Sequence, residues 1–244
     1  MSRLATLIYG LVVYLLFLAV FLYLIGFLWS LGVPKGINDG EACGPVLALL
    51  TNLLLVSLFG VQHSVMARPG FKQLWTTVVP PAAERSTFVL LSSACLAALF
   101  CWWQPLPGVL WDVRGSALGG ALMGVSAFGW GLVLLSTFVI DHFALFGVKQ
   151  SLFHYLGREL RAPEFVVRGP YHLSRHPLML GFLIAFWATP WMTVGHALFA
   201  AAMTGYILIA LRYEERDLHE AHGDDYAAYT RRTSMLIPRP FFRE

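Results

Sequence analysis

Gly169-Pro-Tyr-His-Leu-Ser-Arg-His-Pro177 leads into an apolar run that closes on Arg212-Tyr-Glu-Glu-Arg-Asp-Leu218. From His176 to Leu211 the chain carries 36 residues without Asp, Glu, Lys or Arg. As helix, such a run reaches roughly 54 Å, against about 60 Å for two full crossings of a hydrocarbon core. Thr189-Pro190-Trp191-Met192-Thr193 supplies a break, because proline disrupts a helix interior. The expectation is a tight apolar hairpin, its tip near or just short of the far interface, with both mouths on one membrane face.

Outward from the hairpin, four more uncharged stretches stand at residues 4–34, 42–67, 86–111 and 115–140. Each exceeds the ~20 residues that a helix needs to span lipid. Over 244 residues the chain is 57% hydrophobic and 13% charged, with mean hydropathy +0.65. A soluble domain carries roughly 25% charged residues, so the composition excludes that class. The fold class is all-α: a polytopic membrane bundle of four long spans plus the broken C-terminal hairpin. The first stretch is too long for a signal's apolar region and lacks a small-x-small cleavage site, so it is expected to stay as a helix.

Charge sets the orientation. The connection at 67–85 carries Arg68, Lys72 and Arg85; that at 141–175 carries Lys149, Arg158, Arg161, Arg168 and Arg175. The other two hold Lys35 and Arg114 alone. By the positive-inside rule the basic connections face the cytoplasm, and for a bacterial chain this means the inner membrane. A net charge of +3 gives no case for nucleic acid. Cys43, Cys95 and Cys101 show neither metal spacing nor a disulfide framework, and Cys95 and Cys101 read as small core side chains. No metal is expected. Residues 1–140 read as a four-span scaffold and 141–244 as the catalytic part, made of loop, hairpin and amphipathic tail. In the tail, Arg212 to His222 reads as a helix stopped by Gly223. Asp224 then caps a second helix whose Tyr226 and Tyr229 suit either an interfacial anchor or a lid over the pocket.

Arg175-His176-Pro177 is the chemical centre of the reading. Proline is favoured at the first position of a helix, and the N–H groups just after it, near Leu178 to Leu180, form an anion site reinforced by the helix dipole. Arg175 adds a charge able to fork onto a carboxylate. Glu214 and Glu215 stand at the other mouth, where an acidic side chain can take hydrogen bonds from ribose hydroxyls or a ligand ammonium. Being adjacent, only one of the two can face the hairpin partner, and spacing does not choose. Together these groups suit a zwitterionic, cationic ligand. Gln62-His63-Ser64 and Asp141-His142-Phe143 each close a span on the same face, where polar residues are functional candidates.

These motifs carry a resemblance. Gly169-Pro-Tyr-x-x-x-Arg-His-Pro-x-x-x-Gly181, then Glu214-Glu-x-x-Leu218 with Gly223-x-x-Tyr226-x-x-Tyr229, resembles the isoprenylcysteine carboxyl methyltransferase-like superfamily. Gln62-His-Ser-x-Met-Ala-Arg-Pro69, Glu84-Arg-Ser-Thr87, Ser136-Thr-Phe-x-Ile-Asp-His-Phe-x-Leu-Phe-Gly147 and Phe186-Trp-Ala-Thr-Pro190 are similar to its membrane methanethiol S-methyltransferase branch. The resemblance implies S-adenosylmethionine as cofactor and a small thiol as substrate, with membrane lipid as surroundings and methanethiol converted to dimethyl sulfide. It implicates Glu164, Phe165, Val166, Tyr171, Arg175, His176, Leu178, Met179, Glu214 and Glu215 in cofactor binding. Many relatives have tyrosine where Met179 stands, although a thioether still packs on an adenine. A thiol is mostly protonated at neutral pH, so His63 or His142 is expected as base, with Asp141 orienting or charging the pair. Within the superfamily the rival substrates are a prenylated cysteine carboxylate or a phospholipid head group. A different class, a non-enzymatic assembly subunit of a respiratory or nitrogen-oxide pathway, would not retain S-adenosylhomocysteine.

Overall fold

A computed structural model of the chain describes residues 2–160 and 167–238. Nine helices run through the described residues: α1 (Arg3–Trp29), α2 (Pro45–Ala67), α3 (Pro69–Trp75), α4 (Pro81–Trp102), α5 (Ala117–Ile140), α6 (His142–Leu145), α7 (Val148–Tyr155), α8 (Pro177–Trp187) and α9 (Val194–Arg232). Two short strands, β1 (Val109–Asp112) and β2 (Trp191–Thr193), pair with each other. Four of the helices begin on proline, at Pro45, Pro69, Pro81 and Pro177. There the absent N–H is no loss and the fixed φ already suits a helix. α1 starts instead on Ser2, whose hydroxyl accepts from the Ala5 N–H at 3.2 Å.

Five helices are long and apolar enough to cross a membrane. Their outer faces carry side chains such as Leu54 at 69% and Phe128 at 65% exposure. In water such stripes would be strongly unfavourable at about 25 cal/mol per Å² of apolar surface; against lipid tails the same stripes are solvated. The protein is an all-α integral membrane protein.

The described residues fall into two compact units. One comprises Met1–Leu110, Asp141–Ala162 and Thr193–Phe199; the other comprises Trp111–Ile140, Pro163–Met192 and Ala200–Glu244. In the first, α1 packs on α4 and α7, and α2 on α4. Val13, Met66, Phe88 and Val89 form a buried cluster there, flanked by Tyr9, Phe17, Phe71, Trp75 and Phe146.

The second unit is built on the α5–α8 pair. A Cβ on Gly129 would stand 2.7 Å from the Gly181 carbonyl oxygen, and one on Gly181 equally close to that of Gly129. The two backbones therefore touch, and glycine is required at both places. Ser126 Oγ donates to the Ala185 carbonyl at 3.1 Å, and the Trp130 ring meets Phe182 and Phe186 edge-on. Pairing 126 with 185 and 129 with 181 makes the helices antiparallel. α8 has 11 residues, roughly 16 Å of helix, yet the hairpin reaches further. Its tip meets the start of the fourth span through Val113 N–H to Pro190 O and Trp111 Nε1 to Thr189 O, both 2.9 Å. The Arg114 guanidinium covers the Trp191 ring at 3.9 Å.

Several expectations are corrected. No helix begins at Arg212, because α9 runs on from the apolar arm into the charged tail. Gly223 does interrupt it, at φ 51° and ψ −122°, a conformation that glycine adopts without strain. The 141–175 connection contains α6, α7 and a 3-10 turn at Gly169–His172. Cys101 is exposed and Cys95 only half-buried.

Candidate active site

In the second unit the hairpin's two mouths are locked by one ion pair. Arg175 lies edge-on to Glu215, with Nε to Oε1 and Nη2 to Oε2 both at 2.8 Å, the bidentate geometry in which guanidinium and carboxylate bind best. Arg175 Nη1 donates to the carbonyls of Thr233 at 2.7 Å and Thr230 at 3.3 Å. These lie at the C-terminal end of α9, where the helix dipole favours a cation. Glu215 Oε1 also accepts from His176 Nε2 at 2.7 Å and from the Tyr226 hydroxyl at 2.8 Å. A carboxylate only accepts, so His176 carries a proton on Nε2. Along the backbone, Arg175 N donates to Ser234 O at 2.8 Å and His176 N to Met235 O at 3.1 Å, fastening the tail's end beside the Arg-His-Pro segment.

Glu215 is thus saturated inside the protein. Its neighbour Glu214 is 47% exposed, with Oε2 3.8 Å from His176 Nδ1. The fork expected to meet a ligand carboxylate is turned inward onto Glu215, and Glu214 is the open acid of the pair. Leu178 and Met179 lie half-buried in the first turn of α8. Tyr171 sits in the 3-10 turn, its carbonyl accepting from the Tyr229 hydroxyl at 2.6 Å. Burial, then the charges of Glu214 and Tyr229, push the Tyr171 phenol well above its ordinary pKa, so it remains an O–H group. Glu164, Phe165 and Val166 lie outside the described residues.

His63, Asp141 and His142 fall in the first unit. His63 is on the last turns of α2, with its ring 4.8 Å from Phe88 and Nδ1 3.2 Å from Ser92 Oγ. The single Ser92 hydroxyl proton is given to the Phe88 carbonyl at 3.0 Å. With that proton on the Phe88 carbonyl, Ser92 Oγ accepts from His63 Nδ1 and Nε2 is the acceptor nitrogen; with the proton turned to His63 the tautomer reverses. His142 opens α6, buried, with Nε2 2.9 Å from the Tyr14 hydroxyl and the ring edge-on to Phe146 at 4.9 Å. Burial lowers the His142 pKa. Both histidines border the same aromatic cluster, His63 through Phe88 and His142 through Phe146.

Asp141 caps α6, accepting from the Ala144 N–H at 3.1 Å, and pairs with Lys149. Burial acts to raise its pKa, but the hydrogen bonds from Lys149 and Ala144 outweigh that and hold the carboxyl below its ordinary range. It steadies His142 through the helix start.

Sequence reasoning missed Tyr14, Ser92, Thr230 and Thr233, and it left Tyr226 as either an interfacial anchor or part of a pocket lid. Tyr226 is 1% exposed and bonded to Glu215. No short motif links these residues to their partners, apart from the acid that Tyr226 shares with the Arg-His-Pro segment.

Comparison with known proteins extends along the whole chain. It is 50% identical over 240 residues to methanethiol S-methyltransferase of Mycobacterium tuberculosis, covering 98% of each chain. Methanethiol S-methyltransferase 2 of Bradyrhizobium diazoefficiens is 50% identical over 242 residues, 99% of this chain and 93% of the relative. More distantly, the Nurim homolog of Drosophila pseudoobscura pseudoobscura is 29% identical over 183 residues, 72% of this chain and 71% of the relative. No family model and no solved structure matches.

Proposed function

The chain belongs to the methanethiol S-methyltransferase family, and from that premise we propose that it methylates methanethiol at sulfur, giving dimethyl sulfide, with S-adenosylmethionine as donor. The observation that carries the reading is the end-to-end match to those relatives, which takes in both units.

The residues of the second unit fit such a cofactor. A sulfonium zwitterion asks for an exposed anion beside N–H donors. Glu214 is half exposed next to the first turn of α8, where N–H groups lack intrahelical partners. Ser234, on the segment that pairs with Arg175, has a buried Oγ without a hydrogen-bond partner among the described residues. Glu214 would hold the cationic end, and Leu178, Met179 and Tyr171 would pack the rest. Arg175, His176, Glu215 and Tyr226 keep the two mouths of the hairpin together. Glu164 to Val166 belong to the same proposed set through the resemblance. When bound, the cofactor supplies a methyl group already activated on sulfonium sulfur.

Chemistry then needs an oriented, dehydrated thiolate. His63 Nε2, the acceptor nitrogen when Nδ1 donates to Ser92, takes the thiol proton. His142, held by Tyr14 and by the Asp141 cap, positions the surrounding aromatic residues. The basic connections at 67–85 and 141–175 support a site on the cytoplasmic face. The deciding experiment gives membranes bearing the protein labelled S-adenosylmethionine with methanethiol, a prenylcysteine and phosphatidylethanolamine in parallel. Labelled dimethyl sulfide is expected, and label in either other acceptor alone would overturn the assignment.

A further inference from the structure

Two buried polar atoms of the first unit stand beside its aromatic cluster with no partner among the described residues: Gln62 Oε1 and Trp75 Nε1. Gln62 sits one turn before Met66 on α2, and its Nε2 is 3.1 Å from Met66 Sδ. A thioether sulfur only accepts, so the amide is oriented with nitrogen on Met66 and oxygen turned elsewhere. Met66 belongs to the cluster with Val13, Phe88 and Val89, against which Trp75, Phe71 and Phe146 pack. The rings of Phe71 and Trp75 stack at 5.6 Å, and His63 follows Gln62 with its ring on Phe88. The cluster therefore offers an aromatic and thioether lining, one orphaned acceptor, one orphaned donor and an adjacent imidazole.

Buried groups left without partners are destabilising, and this pair, set beside one cluster, suits a ligand that donates one weak hydrogen bond and accepts another. A thiol does both through the same atom, with S–H as weak donor and S as weak acceptor. Divalent sulfur also packs well on ring edges. The Arg85 guanidinium lies over the Phe88 ring at 4.8 Å, so the lining also suits sulfur as it gains negative charge, and a bulky acceptor would have to open a packed cluster.

We infer that the Met66–Phe88 cluster is the binding site for a small alkanethiol, with Gln62 Oε1 accepting the S–H of the resting thiol and Trp75 Nε1 donating to the sulfur; on activation the same S–H turns from Gln62 to His63 Nε2. This rests on the thiol methylation proposed above and names where its acceptor substrate is held. Gln62 is the specificity-determining residue: its oxygen distinguishes a thiol from the thioether product, which has no S–H to give.

The test compares the full-length protein in detergent with Gln62→Met, close in length but lacking the acceptor, and Trp75→Phe, which keeps a ring and loses the N–H. Gln62→Met is expected to raise KM for methanethiol roughly three- to tenfold, in keeping with one neutral hydrogen bond. KM for S-adenosylmethionine and the apparent Tm should be unchanged. In parallel, methanethiol is titrated against intrinsic tryptophan fluorescence without the methyl donor; a saturable change is expected in the parent and its loss in Trp75→Phe. An unchanged thiol KM in Gln62→Met would overturn the inference. So would a rise in both KM values together with a lower Tm, the signature of a packing role. If the parent turned over no methanethiol, the activity assignment itself would fail. The fluorescence titration would then decide alone: a saturable change lost in Trp75→Phe upholds the thiol site, and no change removes it.

Discussion

Arg175 and Glu215, forty residues apart, meet in a two-pronged ion pair with both contacts at 2.8 Å, and that pair closes the mouth of the hairpin. Its side chains are 13% and 16% exposed. Removing one member of a largely buried pair leaves the other charge uncompensated and costs about 3–5 kcal/mol in the limit of full burial. Arg175→Ala is therefore expected to lower stability by about 2–3 kcal/mol, reduced for partial exposure. Cofactor affinity should fall in parallel, because His176 and Tyr226 bond to the same Glu215 oxygen. Arg175→Lys keeps the charge but not the fork, and should recover only part of the stability. Thermal unfolding in detergent with calorimetric titration measures both; an unchanged melting temperature in Arg175→Ala would show that the pair does not hold the hairpin.

Glu214 and Glu220 permit a matched comparison. Both lie on α9, and each change to Gln removes one negative charge. Among the described residues Glu220 is engaged in an exposed i,i+4 pair with Arg216, a contact worth little. Glu214→Gln is expected to weaken S-adenosylmethionine binding by roughly tenfold or more, the size of one charge-assisted hydrogen bond. Glu220→Gln should leave it unchanged, and neither should shift the Tm by more than about a degree or two. Equal losses in the two variants would reduce Glu214 to a surface charge.

The hairpin was legible because three independent signals agree: a long uncharged run, Pro177 at its start and Pro190 in its middle. The partner of Arg175 was not. Glu214 and Glu215 point about 100° apart on a helix, and which one meets α8 depends on a packing register that sequence does not carry. The exposed Cys101 shows a related limit, since lipid-facing and core-facing positions of a membrane helix are equally apolar. β1 was hidden because Val109-Leu-Trp-Asp112 reads as the end of the apolar run before it. The start expected at Arg212 failed for a simpler reason. A change from apolar to charged side chains does not interrupt backbone hydrogen bonding, whereas Gly223 with its positive φ does.

His142 makes stability depend on pH in a definite direction. Burial lowers its pKa below the usual 6.5, so below that value the unfolded chain binds a proton that the folded chain resists. Stability is fully present above about pH 6.5 and is lost as pH falls toward the depressed folded value. The apparent Tm should drop between pH 7.5 and 5.5, and His142→Gln should flatten that part of the profile. Tyr14→Phe removes the hydroxyl from His142 Nε2 and tests whether the loss runs through this contact. A slope identical in parent and His142→Gln would assign the pH dependence to other groups.

Thiol activation gives the last prediction. When Ser92 donates to the Phe88 carbonyl and accepts from His63 Nδ1, His63 presents Nε2 as its basic nitrogen. His63→Ala should lower turnover at neutral pH by about 10²–10⁴-fold, the usual span of general-base catalysis, with cofactor affinity intact. The defect should shrink as pH rises toward the thiol's own pKa, near 8.5 for a cysteine-like thiol, because solution then supplies thiolate directly. Ser92→Ala removes the partner of Nδ1 while leaving the imidazole in place, so a smaller loss, recovered in Ser92→Thr, is expected. His142→Gln should cost little by comparison, since its Nε2 already shares a hydrogen bond with Tyr14. The measurement is a pH–rate profile for each variant. If the His63→Ala profile ran parallel to the parent's at every pH, the histidine would be a packing residue against Phe88, and the protein would be drawing a ready-made thiolate from solution.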